Sequence, residues 1–199
     1  MVPALSDLAY VLKEHFVADP QWRPRPNLLT GRVVIVTGAN TGLGLETAIQ
    51  LGKLDPSLII LACRNTDKGV RAREKVINST GLTEGRVWMW ELDLASLASV
   101  NGFAQRCERE LSRLDVLVQN AGMNTFNWVT TEDGFESTFQ VNVLATGLLG
   151  VLLLPLLAKT ATLPIEDGMK PFKPHITILA SLGKHSDSTR IQVTSTIAD

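Results

Sequence analysis

The chain has 199 residues, of which 45% are hydrophobic and 20% are charged, and its formal net charge is −1. This length is enough for one compact domain with a buried core, and the composition is ordinary for a soluble globular protein. The small net charge gives no field that would attract nucleic acid or an anionic membrane surface. Two cysteines, Cys63 and Cys107, are too few for a disulfide framework, so we expect a reducing, cytoplasmic compartment.

The first 29 residues predict a helix followed by a connector. Four apolar residues recur at helical spacing and predict an amphipathic helix over about 5–17; they are Leu5, Leu8, Leu12 and Phe16. Pro20, Pro24 and Pro26 then predict an extended segment. The helix either docks on the main domain, covers a substrate cleft or touches a membrane. Its polar face is not strongly basic, which favours docking.

A glycine-rich turn at residues 37–44 follows the first strand. The strand is the β-branched run Arg32–Val36, and residues 45–53 after the turn are typical of a helix. This order is that of a dinucleotide-binding turn. Gly38 permits a tight turn, Gly42 permits close approach of a pyrophosphate, and Gly44 permits close packing of the helix. The intervening Asn40, Thr41 and Leu43 would contact the same dinucleotide. An ordinary strand-to-helix loop remains the alternative.

Further strands and helices alternate along the rest of the chain. The predicted elements are a strand at 58–63, a helix at 67–77 capped by Thr66, a strand at 86–92, a helix from Ser96 to Leu111, a strand at 114–118, a helix at 132–159 and a strand at 175–180. This alternation predicts an α/β fold with a doubly wound parallel sheet over residues 30–183. The polar tail, 184–199, is expected to be either disordered or an added edge strand.

One apolar run, Leu144–Ala158, is about 15 residues long, which is too short to span a membrane. It is more typical of a helix that is buried on most of its faces.

Polar residues follow four of the predicted strands at their carboxyl ends, and they are Arg64, Asp93, Asn120 and Ser181. Ligands bind at this edge of a doubly wound sheet, so these residues are expected to converge with the glycine turn. Each also has a simpler interpretation. Arg64 would be a solvated surface residue, Asp93 a helix cap, Asn120 a turn residue, and Ser181 the end of its strand.

Asn142 lies on one stripe of the 132–159 helix with Phe135, Phe139 and Thr146, which predicts the core-facing side. A polar residue at such a position needs a hydrogen-bond partner.

These residues resemble the short-chain dehydrogenase/reductase family between about residues 30 and 183. Thr37-Gly38-x-x-x-Gly42-x-Gly44 matches its cofactor turn, and Asp93 matches its adenine-side acid. Gln119-Asn120-Ala121-Gly122 is similar to its Asn-Asn-Ala-Gly signature, with glutamine in the first place. Asn142 and Ser181 match its helix asparagine and its catalytic serine. The leading extension and the segment 62–65 are most similar to retinol-dehydrogenase-type and fungal biosynthetic members.

The resemblance implies a Rossmann fold and an oxidoreductase that interconverts a carbonyl and an alcohol in secondary metabolism. It implies that Ser181 binds the substrate oxygen, that Asn142 helps to hold a water in a proton relay, and that Asn120, Ala121 and Gly122 contact the cofactor. Arg64 stands 20 residues after Gly44, where an acidic residue would select NAD. A cation there favours a 2′-phosphate, so we expect NADP(H).

The family's Tyr-x-x-x-Lys motif does not follow Ser181, and Tyr10 is the sole tyrosine of the sequence. The alternative is therefore an inactive, C-terminally shortened member that binds cofactor or a partner chain. Such a chain would have a sheet that is incomplete at its C-terminal edge, with the fifth strand open. Leu148, Leu152 and Leu156 would lie exposed. We accordingly expect poor solubility, or a partner (a second copy included) on the 132–159 helix.

Overall fold

The structure is a computed structural model that describes residues 26–166, 168–181 and 191–195, with the backbone alone described for 181 and 191–195. The helix predicted over 5–17 lies outside the described residues, as does most of the polar tail.

Six strands and four helices make up this part of the chain. They are β1 (Val33–Thr37), α1 (Gly42–Gly52), β2 (Leu58–Cys63), α2 (Thr66–Thr80), β3 (Val87–Glu91), α3 (Leu97–Glu110), β4 (Val116–Gln119), α4 (Ser137–Ala161), β5 (His175–Ser181) and β6 (Ile191–Ser195). Every predicted strand and helix within these residues is present, with bounds that differ by a few residues.

The strands form one sheet in the order β3-β2-β1-β4-β5-β6. β1 to β5 pair in parallel, as predicted for a doubly wound fold. The chain moves outward from β1 to β3 and then returns to place β4 on the other side of β1. This reversal creates a topological switch point between β1 and β4, where such sheets bind ligands.

The prediction that β5 is an open edge was wrong. Ile191–Ser195 pairs with β5 in the antiparallel direction, from Ser181 opposite Ile191 to Thr177 opposite Ser195. The unpaired backbone groups of an edge strand are a template for a further strand, and a β-branched segment of the tail takes that place. Of the two alternatives for the tail, an edge strand describes residues 191–195.

The central strands are buried on both faces, which explains their continuous apolar sequences. Alternate residues of β1 point to opposite sides of the sheet. Val33 and Ile35 pack with α3 and α4, whereas Val34 and Val36 pack with α1 and α2. The sheet is thus covered by two helices on each face.

Helix α2 begins one residue earlier than the sequence predicted. Asn65 rather than Thr66 is its N-cap, because the Asn65 side chain accepts a hydrogen bond from the Lys68 N–H at 2.8 Å. Gly81 ends the helix in the left-handed conformation, with φ 74°. The helix predicted to start at Ser96 begins at Leu97, and Ser96 is its N-cap, accepting from the Ser99 N–H at 3.3 Å.

Helix α4 begins at Ser137, not at residue 132. Glu136 accepts hydrogen bonds from the backbone N–H groups of Thr138 and Phe139 at 2.9 and 2.7 Å. These bonds lower the pKa of the Glu136 carboxyl and define the helix start. The preceding residues form a turn in which the Gly134 N–H donates to the Thr131 carbonyl. Within α4, residues Gln140–Ala145 are π-helical.

Over the run Leu144–Ala158, helix α4 is exposed along one stripe only, at 147, 151, 154, 155 and 158, so the prediction of burial on most faces is confirmed. The prediction of a core-facing Asn142 stripe was wrong. Leu149, Leu153 and Leu157 are fully buried, while Asn142 is exposed. The expected exposure of Leu148, Leu152 and Leu156 was also wrong, because all three are buried or half-buried in the core. The exposed apolar residues of α4 are Phe139, Val143, Val151 and Leu154.

The argument from length against a membrane span does not hold for the complete helix. By length and composition alone, α4 is long and apolar enough to cross a bilayer. Its packing is that of a core helix, since its buried face contacts α3 and the sheet through Leu149 and Leu153.

Both cysteines are free and buried, Cys63 in β2 and Cys107 in α3. Burial raises the pKa of the Cys63 thiol to about 11 and that of Cys107 to about 12. Both side chains therefore act as small apolar core residues rather than as nucleophiles.

A buried charge cluster joins β1 and β4 at their amino ends. Asp115 accepts hydrogen bonds from Arg32 at 3.0 Å, from Arg113 at 2.8 Å through each carboxylate oxygen, and from the Val33 N–H at 2.9 Å. The bonds to Asp115 raise the pKa of Arg113. One carboxylate thus pairs with two arginines at the sheet edge opposite the carboxyl ends of the strands.

We expect Asp115→Asn to lower the free energy of unfolding by about 3 kcal/mol, because two buried guanidinium groups lose their counter-charge. Urea denaturation followed by circular dichroism measures this change. Glu110→Gln is the control, since it breaks only surface pairs with Arg106 and Arg109 and should leave the urea midpoint close to that of the parent. Equal midpoints for Asp115→Asn and the parent would contradict the prediction.

Candidate functional site

A cleft of about 510 Å³ opens at the carboxyl edge of the sheet, over the switch point between β1 and β4. This volume lies in the range of sites for small molecules and cofactors. The cleft is lined by the turn after β1, the ends of β2 and β3, the loop after β4 and one residue of α4. The lining residues are Gly38, Asn40, Thr41, Leu43, Gly44, Ala62, Arg64, Asn65, Lys68, Leu92, Asp93, Leu94, Asn120, Ala121, Gly122, Met123 and Val141.

The floor of the cleft is a hydrogen-bonded junction between β1 and β4. The buried Thr37 hydroxyl accepts from the backbone N–H groups of Asn120 and Ala121 at 3.1 and 3.0 Å. In return, the Asn120 side chain donates to the Thr37 carbonyl at 3.0 Å. These bonds hold the glycine turn and the Asn120-Ala121-Gly122 loop in one fixed arrangement. The turn interpretation of Asn120 is therefore incomplete, because its side chain joins two strands.

The glycines of the turn permit close backbone contacts. A Cβ on Gly44 would lie 2.4 Å from both the Gly38 carbonyl oxygen and the Asn120 side-chain nitrogen. Gly42 has φ 55°, and no atom lies within 4 Å of the place where its Cβ would be. The turn is thus tightly packed toward the protein and open at Gly42.

Helix α1 begins at Gly42, on the rim of the cleft. Its N-cap, Thr41, makes no side-chain capping hydrogen bond. Thr41 therefore leaves the N–H groups of the first turn to other acceptors. The start of a helix also carries a partial positive charge. A phosphate is the group that such a site favours, so the turn fits the pyrophosphate of a dinucleotide.

Two cations lie on the β2 side of the cleft. Arg64 is the first residue after β2, and Lys68 lies in the first turn of α2. Both side chains are exposed, and within the described ranges neither has a hydrogen-bond or ion-pair partner. Asp93 is the one carboxylate among the lining residues, so this side of the cleft is electropositive.

Asp93 follows β3, the strand beside β2, and is flanked in sequence by two buried leucines, Leu92 and Leu94. One of its oxygens accepts from the Ala95 N–H at 2.9 Å, and its own N–H donates to the Ser99 hydroxyl at 3.0 Å. Asp93 therefore shapes the turn before α3, while Ser96 is the cap of that helix. Leu92 and Leu94 also line the cleft, so this part of it combines a carboxylate with apolar side chains.

Asn142 holds the loop that closes the far side of the cleft. Its side chain donates to the Met123 carbonyl at 2.7 Å and accepts from the Met123 N–H at 2.9 Å. Asn142 thus has the hydrogen-bond partner that was predicted for it, but this partner is the backbone of Met123 and not a group in the core. Because Asn142 lies in the π-helical segment and Met123 lines the cleft, this pair joins helix α4 to the site.

Ten of the eleven predicted cofactor residues line this one cleft, and Gly42 adjoins it at the start of α1. Ser181 ends β5 at the same edge of the sheet, and the structure describes only its backbone. Sequence reasoning missed seven lining residues, and they are Ala62, Asn65, Lys68, Leu92, Leu94, Met123 and Val141. Leu92 and Leu94 flank Asp93 in sequence, so their position in the cleft could have been predicted together with that of Asp93. Lys68 stands four residues after Arg64, in the first turn of α2.

A family model described as short chain dehydrogenase matches residues 32–162. Among curated relatives, the short chain dehydrogenase/reductase mfmJ of Annulohypoxylon moriforme is 34% identical over 177 residues, which are 88% of this chain and 51% of that protein. Retinol dehydrogenase 14 of Mus musculus is 42% identical over 144 residues, 68% of this chain and 43% of that protein. The chain thus spans about half the length of the curated relatives it matches.

Solved structures of the same family share the fold. A short chain dehydrogenase from Escherichia coli CFT073, complexed with NADPH, matches with a TM-score of 0.61 and 28% identity. The match covers 79% of this chain and 62% of that chain.

Thr37→Val should lower the free energy of unfolding by about 2 kcal/mol, because it leaves the N–H groups of Asn120 and Ala121 without an acceptor. Thr37→Ser keeps the hydroxyl and loses one methyl group, which costs about 0.8 kcal/mol. Urea titration of the two variants compares them directly. If valine is tolerated as well as serine, the two hydrogen bonds do not stabilise the junction.

Proposed function

The chain belongs to the short-chain dehydrogenase family, and we propose that its cleft binds NADP(H) for an oxidoreductase that interconverts a carbonyl and an alcohol. The family consists of oxidoreductases that bind a nicotinamide cofactor. The observation that carries the proposal is the cleft itself, in which a glycine turn, an open helix start and two cations that have no partner among the described residues meet at the switch point.

The residues of the cleft divide into regions that suit the parts of a dinucleotide. The turn from Gly38 to Gly44 and the start of α1 suit the pyrophosphate. Asp93, with its two flanking leucines, suits the adenine. Asn120, Ala121 and Gly122, held by Thr37, suit the nicotinamide half. The fit is supported by Gly42, whose positive φ and free surroundings let a ligand approach the backbone.

Arg64 is the basis for preferring NADP(H) over NAD(H). Its guanidinium lines the cleft at the end of β2 and has no protein partner within the described residues. A guanidinium makes bidentate, charge-assisted bonds to a phosphate, whereas a ribose hydroxyl gains little from it. The NADPH bound to the related Escherichia coli protein is consistent with this choice.

When bound, the cofactor supplies or accepts a hydride at the nicotinamide C4. In this proposal the Ser181 hydroxyl donates a hydrogen bond to the substrate oxygen and so favours charge that develops there. Asn142 keeps the Met123 loop in place beside the reacting groups. The substrate is a small carbonyl or alcohol, and its pathway is secondary-metabolite biosynthesis in a cytoplasmic setting. The similarity to fungal short chain dehydrogenases supports the pathway, and the two free thiols support the setting.

A second candidate is a protein that binds NADP(H), or a partner chain on α4, without catalysis. One observation favours it, namely that the described residues lining the cleft include neither a tyrosine nor a histidine. The reaction needs a proton donor and acceptor of suitable pKa beside the substrate oxygen. Oxidation of NADPH in the presence of a panel of ketones and aldehydes separates the two. Steady turnover supports the oxidoreductase, and tight NADPH binding without turnover supports the binder.

Arg64→Ala should weaken NADPH binding about tenfold or more and leave NADH binding almost unchanged, because one charge-assisted contact is worth about 1.5–3 kcal/mol. Quenching of tryptophan fluorescence, checked by calorimetry, gives the two dissociation constants. Arg71→Ala is the matched control, since Arg71 is exposed on α2 and does not line the cleft. Tighter binding of NADH than of NADPH by the parent protein would contradict the role given to Arg64.

A further inference from the structure

Gln119 is a buried polar residue whose side-chain amide is only half satisfied. It is the last residue of β4, and it is 2% exposed. Its side-chain nitrogen donates to the Thr146 carbonyl of α4 at 2.8 Å, whereas its side-chain oxygen has no hydrogen-bond partner among the described residues. A buried oxygen without a partner is unfavourable, and an apolar side chain would avoid this cost. The bond to Thr146 is therefore the contact that favours an amide at this position.

Thr146 lies where α4 changes from π-helical to α-helical geometry. Residues Gln140–Ala145 are π-helical, and the regular α-helix runs from Thr146 to Ala161. The Thr146 hydroxyl donates to the Val141 carbonyl, five residues earlier, at 2.8 Å. Its own carbonyl accepts the Gln119 side chain. Because the repeat of the backbone bonds changes at this junction, side-chain donors add hydrogen bonds to carbonyls on both sides of it.

Gly150 leaves space for the Gln119 amide against the helix. It lies one turn after Thr146 and is buried. A Cβ at Gly150 would lie 3.4 Å from the Gln119 side-chain nitrogen, at the lower limit of ordinary van der Waals contact. Glycine inside a helix is less favourable than alanine. Its presence at this position is consistent with close approach of the amide to the backbone of α4.

The π-helical segment determines which way Asn142 faces. Asn142 and Thr146 are four residues apart, so in an unbroken α-helix they would share one face. In the structure Thr146 is buried, whereas Asn142 is exposed and bonds to the Met123 N–H and carbonyl at 2.9 and 2.7 Å. One residue of an α-helix corresponds to a rotation of about 100°. A return of this segment to α-helical geometry would therefore turn Asn142 away from Met123.

We propose that Gln119 is a positioning residue for the Met123 loop. Its bond to the Thr146 carbonyl keeps residues 140–145 π-helical, and this segment in turn directs Asn142 to the backbone of Met123. Gln119 does not line the cleft, so it acts on the loop through α4. Because Met123 does line the cleft, the same bond sets the shape of the cleft at its far side. The inference concerns the free protein, and only its use in catalysis rests on the proposed function.

Thr160 provides a matched control at the other end of the same helix. Its buried hydroxyl accepts from the Leu114 N–H at 2.8 Å, shortly before β4 begins. Thr160→Val therefore removes one buried hydrogen bond between α4 and the chain beside it, as Gln119→Leu does. It lies 14 residues after Thr146 and leaves the π-helical segment untouched. The two variants thus separate the loss of a buried bond from a change in helix geometry.

The experiment records the methyl spectrum of the full chain by nuclear magnetic resonance, with carbon-13 in the methionine methyl groups and without nucleotide. The sequence has four methionines, so the signals are few. Met123 packs against the core, and its methyl signal therefore depends on the position of its loop. Met89, beside Gly69, and Met169, beside Gly31, serve as internal references. The variant Met123→Leu assigns the signal.

Asn142→Ala breaks the pair with Met123 directly and gives the signal of a released loop. Gln119→Leu should move the Met123 signal toward that position while the two references stay in place. Its urea midpoint should remain close to that of the parent, because the unpaired oxygen is removed together with the bond. Thr160→Val should lower the urea midpoint, because it leaves the Leu114 N–H without an acceptor, and should leave the Met123 signal where the parent has it. Gln119→Ile, which also lacks the donor, should behave as Gln119→Leu does.

Three outcomes would overturn the inference. An unchanged Met123 signal in both Gln119 variants would show that the π-helical segment holds without the amide. An equal shift in Thr160→Val would show that the signal reports a general loosening of α4. Loss of the folded circular dichroism spectrum in both Gln119 variants would make Gln119 a general stabiliser of the sheet. None of these outcomes depends on a nucleotide, so failure of the proposed function is seen separately, as absence of NADPH binding by the parent.

Discussion

The contact between Thr37 and the Asn120-Ala121 backbone is the constraint on which the cleft depends. Two strands that are far apart in sequence end beside each other, and their turns must not move independently if a ligand is to bind across them. A single buried hydroxyl accepts two backbone N–H groups, and the Asn120 amide returns a bond to the Thr37 carbonyl. Gly44 lies against the same amide, so the start of α1 is positioned by this junction as well.

The two ends of the sheet use charge in opposite ways. At the amino ends, Arg32, Arg113 and Asp115 are buried and mutually bonded, and they hold β1 and β4 together. At the carboxyl ends, Arg64 and Lys68 are exposed and unpaired among the described residues. Charges that are satisfied by the protein stabilise it, whereas charges without a partner at the mouth of a cleft favour a ligand of opposite sign. The sheet therefore has charges that stabilise the fold at the amino ends of its strands and charges available to a ligand at their carboxyl ends.

Most of the fold was readable from the sequence because its signals are local. Continuous apolar runs predicted the buried strands, and Ser96 marked the start of a helix through its side-chain preference. The predictions were wrong where residues that are distant in sequence determine the position of a side chain. Asn142 was assigned to the core from periodicity, yet a π-helical segment and the Met123 loop place it at the surface.

The sequence by itself determined that the strands alternate with helices, that a glycine turn follows β1, and that polar residues follow several strands. Each of these depends on residues close together in the chain, so the pattern contains the information. Tertiary structure alone decided that Ile191–Ser195 covers the edge of β5, and that Asn142 bonds to the backbone of Met123 rather than to a core group. Both depend on which surfaces meet after folding. Periodicity and spacing report which way a residue faces along its own element, but they do not report what lies opposite.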